Sequence, residues 1–566
     1  MTVLLQASFP RTLDALVARF ATAPRGTRIE AWLFEDEAPR RAAETCLRGV
    51  GVEAKIRSAY KPLLHFFLEE TRLQGLQTVA ITTPAGGARR WRLEAYPLAG
   101  LLPGTLTFTD GTAPHTYLIS LNGGLAEPVF APNKAITDHL GEPALAPTGW
   151  LRVTAPGGTV TENGPLESEH EALYAAAMAA IAAHPWPATP PFFRTLAIDA
   201  DLPGIERPLP YHDEVISSRE ALHEDFYFSI LELLKHRAGL PPGDRTLQPG
   251  QIVPDIREGQ ADARIRITLA DAPGDYILTG PTSLDHADRP LTPAQIESEL
   301  AAIGGDAFTF PSVQGRPIDG TFLPGDAAPI VITAGQHANE TSGPIGLLRA
   351  AKLLRNQGSL ALIPCKNPDG YALHHRLRAA NPRHMHHAAR YTALGDDLES
   401  RVSPPYLERE ALLHAIRITG ARLHLNLHGY PAHEWTRPFS GYLPRGFELW
   451  TIPKGFFLIM RHRPGLAAEA EALTIALAAK LAEDPALAAY NAEQLATWHA
   501  HAGAVPFPVH SGIPCLIGEH ATQPVDFTII TEYPDETIYN DEFRLAHTTQ
   551  MRAVLAAVEL FRTPTS

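Results

Sequence analysis

The chain reads as an α/β protein: residues 285–566 predict a mixed sheet layered between helices (α/β/α), preceded by an α+β N-terminal region. Three observations predict this. From about residue 285, short apolar runs alternate with helical patterns, the grammar of buried strands covered on both faces. Earlier, period-two runs such as Thr105-Leu-Thr-Phe-Thr and His115-Thr-Tyr-Leu-Ile-Ser sit among helical stretches over 12–22 and 38–48. Proline clusters at His184-Pro-Trp-Pro, Leu240-Pro-Pro-Gly and Ala272-Pro-Gly punctuate the chain, because proline fixes φ and lacks an N–H.

Taken in order, residues 1–160 are expected to form an α+β accessory domain. Residues 161–284 follow as a helical and mixed connecting region, with helices over 167–183 and 216–238 and a half-buried strand at Asp262-Ala-Arg-Ile-Arg-Ile-Thr-Leu. The third region, 285–566, opens a helix at Thr292-Pro-Ala-Gln-Ile-Glu, with a threonine cap and proline in the first turn. Strands are expected at 330–333, 360–364, 423–427 and 515–517, and helices at 344–355, 408–418 and 466–481. Ligands of such sheets gather at the carboxyl ends of the strands.

Composition narrows the function. With 45% apolar and 19% charged residues the chain is globular, and at 566 residues it exceeds one ordinary core. A formal charge of −14 argues against a nucleic-acid partner, which needs a basic surface. Three cysteines, Cys46, Cys365 and Cys515, make no disulfide framework or thiol redox motif. Cys365 and Cys515 are expected to be small apolar core residues. The N-terminus lacks a basic start followed by an apolar stretch, and the longest apolar run, 172–183, is short for a membrane span. A cytoplasmic protein with no membrane contact is the expectation.

Three strand ends carry chemistry. In Ile-Val-Ile-Thr-Ala-Gly-Gln-His337-Ala-Asn-Glu340, an apolar run breaks into a loop presenting an imidazole and a carboxylate three residues apart. Leu423-His-Leu-Asn-Leu-His428-Gly429 ends a second strand on a histidine, where Gly429 is expected to allow a tight departure. Pro514-Cys-Leu-Ile-Gly-Glu519 ends a third on a carboxylate with no neighbouring basic residue. Catalytic zinc takes three protein ligands and keeps one open position. His337, Glu340 and His428 fit that set, and Glu519 is the expected general base. Each residue has a plainer reading: a surface pair for His337 and Glu340, a core histidine for His428, a buried structural carboxylate for Glu519.

Further motifs join these in a fixed order. Phe310-Pro-Ser-Val-Gln-Gly-Arg-Pro-Ile, His337-Ala-Asn-Glu340, Asn367-Pro-Asp-Gly-Tyr, Gly395-Asp-Asp397-Leu, His428-Gly and Glu519 together resemble the zinc carboxypeptidase, or funnelin, family over roughly 285–562. The resemblance implies a carboxypeptidase-type catalytic domain and one zinc ion held by His337, Glu340 and His428. It implies that Arg376, or alternatively Arg378, polarises the scissile carbonyl and that Asp397 hydrogen-bonds the ring of the first zinc histidine.

The departures are equally specific. Where the family has the Asn-Arg pair that grips a terminal carboxylate, this chain has Glu399-Ser400, with Arg401 one place late. Glu399 there would repel a C-terminal carboxylate, and Arg383, Arg390 or Arg401 could take that group over instead. Asn339 stands where some members carry arginine, and Tyr490 and Trp498 lie in the stretch of the substrate-capping tyrosine. His374, His375, His384, His386 and His387 fit no regular ligand spacing and read as a flexible loop lining the cleft. The expected function is a zinc-dependent metallopeptidase or amide hydrolase of carboxypeptidase type, acting on a peptide substrate. An N-acyl amino acid deacylase is the alternative on the same site, and a non-catalytic zinc-binding scaffold a third reading. The N-terminal region is expected to shape the cleft, restrict it to small peptides, or support a homo-oligomer.

Overall fold

The structure is a computed structural model and describes residues 2–86, 88–137, 141–241, 243–271, 280–281, 283–433, 438–441 and 452–563. It divides into two compact units, Met1–Asp244 with Ile252–Asp271 and Glu434–Leu449, and Arg245–Gln251 with Ala272–His433 and Trp450–Ser566.

In the first unit, the strand Thr2–Phe9 pairs antiparallel with Ala263–Ala270, which pairs in turn with Thr195–Leu202. A second sheet of Val160–Leu166, Gly149–Thr154, Arg28–Leu33 and Glu53–Ser58 packs on helices Thr12–Phe20 and Glu37–Gly49 through Leu16, Phe20, Ile29, Leu47 and Ile56. The expected division at 160 is therefore crossed by strand pairing. Ala263, Ile265 and Ile267 alternate buried with exposed arginines, so the strand turns one face to the core, and Thr2–Phe9 and Thr195–Leu202 flank its two edges.

The second unit is built on a nine-stranded mixed sheet. Its strands are β1 (Asp306–Pro311), β2 (Pro317–Leu323), β3 (Ile330–Ala334), β4 (Leu360–Ile363), β5 (Leu423–Pro431), β6 (Phe457–His462), β7 (Val509–His510), β8 (Ile513–Glu519) and β9 (Phe527–Glu536), in the order β1-β2-β4-β3-β5-β9-β6-β8-β7. β4, β3, β5 and β9 run parallel; β6 runs against β9, and β8 follows β6. The helices are α1 (Pro293–Ile303), α2 (Ser342–Leu354), α3 (Pro368–Ala380), α4 (His387–Arg390), α5 (Arg409–Thr419), α6 (Ala467–Leu481), α7 (Pro485–Ala502) and α8 (Asn540–Arg562). α1 starts as the sequence indicates: Thr292 and Gln295 form a reciprocal capping box and Pro293 sits in the first turn.

Period two explains which face does what. On β5, Leu423, Leu425 and Leu427 join the large core with α2, α6 and α8, so His424, Asn426 and His428 point to the other face. On β9, Phe527, Ile529 and Tyr533 enter that same core, which turns Thr528, Ile530 and Glu532 to the opposite side. α5 covers part of that second face through Ala411, Leu412 and Ala415 against Val331, Ala361 and Ile363. The polar rows of β5 and β9 lie beyond that patch.

β9 was not among the expected strands. Pro534 argues against a central strand, since it cannot donate to the ladder. Here it lies opposite Tyr430, where the pairing with β5 turns irregular, and the missing N–H is tolerated at the strand's end. Gly429 also differs from expectation. β5 does not depart there but continues to Pro431, and the glycine is needed because a Cβ would lie 2.0 Å from Asp535 Oδ1. Asp535 in turn accepts the Ser342 N–H at 2.7 Å, at the start of α2. Gly429→Ala should therefore cost about 1–3 kcal/mol, as overpacking of a tight interior does. Urea unfolding would show it as a lowered midpoint; an unchanged midpoint would mean that Asp535 moves aside freely.

Candidate metal centre

The loop carrying His337 is pinned by its neighbour. Gly335 takes φ +62 at the end of β3, and the backbone N–H groups of Lys366 and Asn367 donate to Ala334 O and Gly335 O, both at 3.0 Å. The Asn367-Pro-Asp-Gly turn then caps α3: the Asn367 side chain accepts Gly370 N–H at 3.0 Å. Asp369 is buried and accepts from Ser312 Oγ at 2.7 Å, Gln314 N at 3.0 Å and an Arg316 Nη at 3.1 Å. The motif is thus a brace that ties the Phe310–Ile318 stretch, the start of α3 and the His337 loop together.

At the carboxyl ends of β3 and β5, three donor atoms converge. His337 Nδ1 lies 2.8 Å from Glu340 Oε1, His428 Nδ1 lies 3.0 Å from Glu340 Oε2, and the two Nδ1 atoms are 3.0 Å apart. All three side chains are buried. Among the described residues this is the one group of three or more potential metal ligands whose donors come together. Two ring nitrogens facing each other beside a carboxylate need a positive centre between them. A tetrahedral zinc with bonds near 2.1 Å sets its ligand atoms roughly 3.4 Å apart, a small expansion of this cluster. The residues fit such an ion.

The surroundings tune the donors. Burial by itself would raise the Glu340 carboxyl, but His337, Arg390 and His428 overcome it and hold the group well below the usual carboxylate range. Arg390 Nη1 donates to Glu340 at 2.6 Å. His337 Nε2 lies 3.2 Å from Asp397 Oδ2, whose other oxygen accepts from Gln336 Nε2 at 3.1 Å and Glu399 N at 3.0 Å. Burial opposes protonation of both histidines; Glu340 and Asp397 reverse that for His337, whereas His428 is pushed down to about 4.

The predicted residues separate into two groups. His337, Glu340, His428 and Asp397 are brought together. Glu519 is not. It is exposed at the end of β8, level with His462, which is itself level with Phe527 at the start of β9 and so with Leu423 at the start of β5. It therefore sits at the opposite end of the sheet from His428 and three strands away, roughly 20 Å by strand spacing and rise. Because β8 runs against β5, the end of its apolar run faces the wrong way.

Besides Glu340, a second carboxylate, Glu532, stands level with His428 as its register partner on β9. It is half-buried, and burial, reinforced by the nearby Glu340, raises its pKa well above the usual carboxylate range against the opposing pull of Arg390 and Lys454. Lys454 is itself buried, 4.5 Å from the Tyr430 ring centre, 4.9 Å from Phe457 and 5.4 Å from Trp498. Burial pushes its ammonium down to about 7. The only sequence signal for Glu532 was the apolar run Phe527-Thr-Ile-Ile-Thr before it, a pattern that Glu519 shares.

The arginines also redistribute. Arg376 is half-buried on α3, and the guanidinium that donates to Glu340 is that of Arg390. Arg378 and Arg383 gather around Tyr539, with Arg378 Nη2 donating to its hydroxyl at 3.2 Å and both stacking on its ring. Arg401 is buried and committed to Asp396, Glu408 and Thr392, which leaves no free face for a substrate. Glu399 pairs with Arg461. The five clustered histidines, from His374 to His387, are buried instead of lining an open loop. Tyr490 stacks on Tyr533 in the core and Trp498 is buried over Lys454. Burial pushes the Cys365 and Cys515 thiols up to about 12, as inert core residues require.

No family model and no curated protein matches the chain. Among solved structures it is similar to a metallo-carboxypeptidase from Pseudomonas aeruginosa, at 16% identity over 54% of this chain and 73% of that one, TM-score 0.31. A metallo-carboxypeptidase from Burkholderia cenocepacia gives 13%, with 53% and 73% covered and a TM-score of 0.30. The murein-tripeptide amidase MpaA from Escherichia coli O157 gives 17%, with 49% and 99% covered and a TM-score of 0.26. The likeness is remote. No described helix is long and apolar enough to cross a membrane.

Removal of the Asp397 carboxylate should loosen the cluster. Asp397→Ala is expected to weaken zinc binding about 10–100-fold, the usual effect of losing a carboxylate behind a ligating histidine. Competition against a chromogenic chelator measures this directly; wild-type affinity in the variant would mean that Asp397 does not orient His337.

Proposed function

We propose that the second unit is a zinc-dependent amide hydrolase, with His337, Glu340 and His428 as ligands of one ion. The observation that carries this is the convergence of their donor atoms at the carboxyl ends of two parallel strands, with Glu532 in register beside His428. Bound zinc supplies a Lewis acid and brings the pKa of a coordinated water to about 7.

The chain's own groups do the remaining work. Glu532 takes the proton from the attacking water and delivers it to the leaving nitrogen. Its place in register beside His428 suits that exchange. Arg390, fixed against Glu340, is the cation that stabilises negative charge building on the carbonyl oxygen. Asp397 holds the His337 ring so that Nδ1 faces the ion. Glu519 takes no part.

Peptides and N-acyl amino acids are both amides that such a site can cleave. Activity on a panel of both, in zinc-loaded protein, is expected to disappear with a chelator and return with zinc. Glu532→Gln should lower kcat at least 100-fold with zinc content unchanged by elemental analysis. Glu519→Gln should keep wild-type turnover. The reverse result for the two variants would overturn the assignment of the base, and a protein that binds no zinc would overturn the hydrolase reading altogether.

A further inference from the structure

A cavity of about 520 Å³ lies between α1 and α3, and none of the residues of the candidate metal centre lines it. Two helical stripes form its walls. Pro293, Ile296, Glu297 and Leu300 stand at i, i+3, i+4 and i+7 on one face of α1. Pro368, Tyr371, Ala372 and His375 repeat that spacing on α3. Arg316, Pro317 and Asp319 from the start of β2, with Pro364 and Cys365 after β4, close the rest. Ile318 packs with α5 on the sheet's other face, which turns Pro317 and Asp319 toward α1. The short side chains of Pro368 and Ala372 leave the space open. Its size is that of a small-molecule site, which runs from about 300 to 1,000 Å³.

The lining is apolar, and its uncommitted polar groups are anions or lone pairs. Arg316 supplies the one permanent cation, and it is bound to Asp369 at 3.1 Å, behind the wall, and to Gln314. Glu297 is exposed on α1, and Asp319 accepts the Thr309 hydroxyl at 2.7 Å; neither has an ion-pair partner among the described residues. His375 Nε2 donates to Leu291 O at 3.0 Å, which leaves Nδ1 as a buried acceptor without a partner. The Tyr371 hydroxyl donates to the same carbonyl at 2.8 Å. Burial keeps two further groups neutral, pushing the Cys365 thiol up to about 12 and the His375 imidazole down to about 4. With Arg316 cancelled by Asp369, the balance around the cavity is the negative charge of Glu297 and Asp319. A molecule that sets carbon against Ile296, Leu300 and Pro317 and a cation against the two carboxylates satisfies both parts of this lining.

We infer that the cavity between α1 and α3 binds a small organic amine in its protonated form, an ammonium carried on an aromatic or branched aliphatic body. Glu297 and Asp319 hold the charge, and the facing stripes of α1 and α3 hold the body. A neutral molecule of the same shape keeps the apolar contact and loses the ion pairs; a bare ammonium keeps the ion pairs and loses the contact. The site does not depend on the hydrolase reading, because its lining contains no candidate metal ligand and neither Glu532 nor Arg390.

Equilibrium binding of phenethylamine, 2-phenylethanol and methylamine to the full-length zinc-loaded protein, by calorimetry or ligand-observed NMR, tests this. Phenethylamine is expected to bind at least about 10-fold more tightly than either of the others, the sum of two partly exposed ion pairs and the apolar contact. Glu297→Gln and Asp319→Asn should each weaken it about 3–5-fold, the scale of one such pair, with 2-phenylethanol unchanged. Glu297→Lys, at an exposed position, should invert the order so that 2-phenylethanol binds better than phenethylamine. Damage to the fold weakens both and cannot produce that inversion. Ala372→Leu should fill the cavity and abolish binding of both aromatic compounds. Phenethylamine binding should also survive removal of zinc by a chelator. Equal affinity for phenethylamine and 2-phenylethanol overturns the inference. So does an unchanged order in Glu297→Lys, unweakened binding in Ala372→Leu, or a loss of binding with the zinc, which would put the amine at the ion.

Discussion

Two imidazole nitrogens and a carboxylate oxygen, mutually 2.8–3.0 Å apart and shut away from water, are tolerable only with positive charge among them. That constraint organises the second unit. Burial alone would neutralise Glu340; His337, His428 and Arg390 keep it ionised. Asp397 in turn anchors the far side of the His337 ring. A proton shared between rings meets the requirement poorly, since it can satisfy only one pair of donors at a time. A divalent ion would meet it for all three, held by His337, Glu340 and His428.

The sheet does the positioning. Parallel strands β3, β5 and β9 end together, so a loop residue after β3, a pleat residue on β5 and its register partner on β9 reach one point. Hydrogen bonds from Lys366 and Asn367 to the loop after β3 hold it against the turn after β4. Asp369, beneath that turn, draws in the stretch around Ser312. The three candidate ligands thus stand on strand ends braced by a capped helix, which is what a site needs to hold its geometry without an ion.

The same face carries a cavity of about 180 Å³ lined in part by Gln336, Lys366 and Asn426. His424, Asn426 and His428 alternate with the core leucines of β5, so a single strand contributes a wall residue to the cavity and a ligand to the centre. Arg401 serves the loop's interior through Asp396 and Glu408, and Glu399 pairs with Arg461.

Local pattern alone determined a good deal about this protein. Short apolar runs placed β3, β4 and β5, proline and threonine marked the start of α1, and a histidine and glutamate three residues apart at a strand end, followed by a strand ending on histidine, named the donor set. These are short-range properties, written in neighbouring residues. Strand direction and order are not. Glu519 and Glu532 both close apolar runs, and nothing within either run says which points toward His428. Only the tertiary structure, by laying β9 parallel to β5 and turning β8 the other way, put one carboxylate beside the ligands and the other at the far end of the sheet. Which arginine reaches the centre was decided in the same way, because a guanidinium's partner is set by packing between segments far apart in the chain.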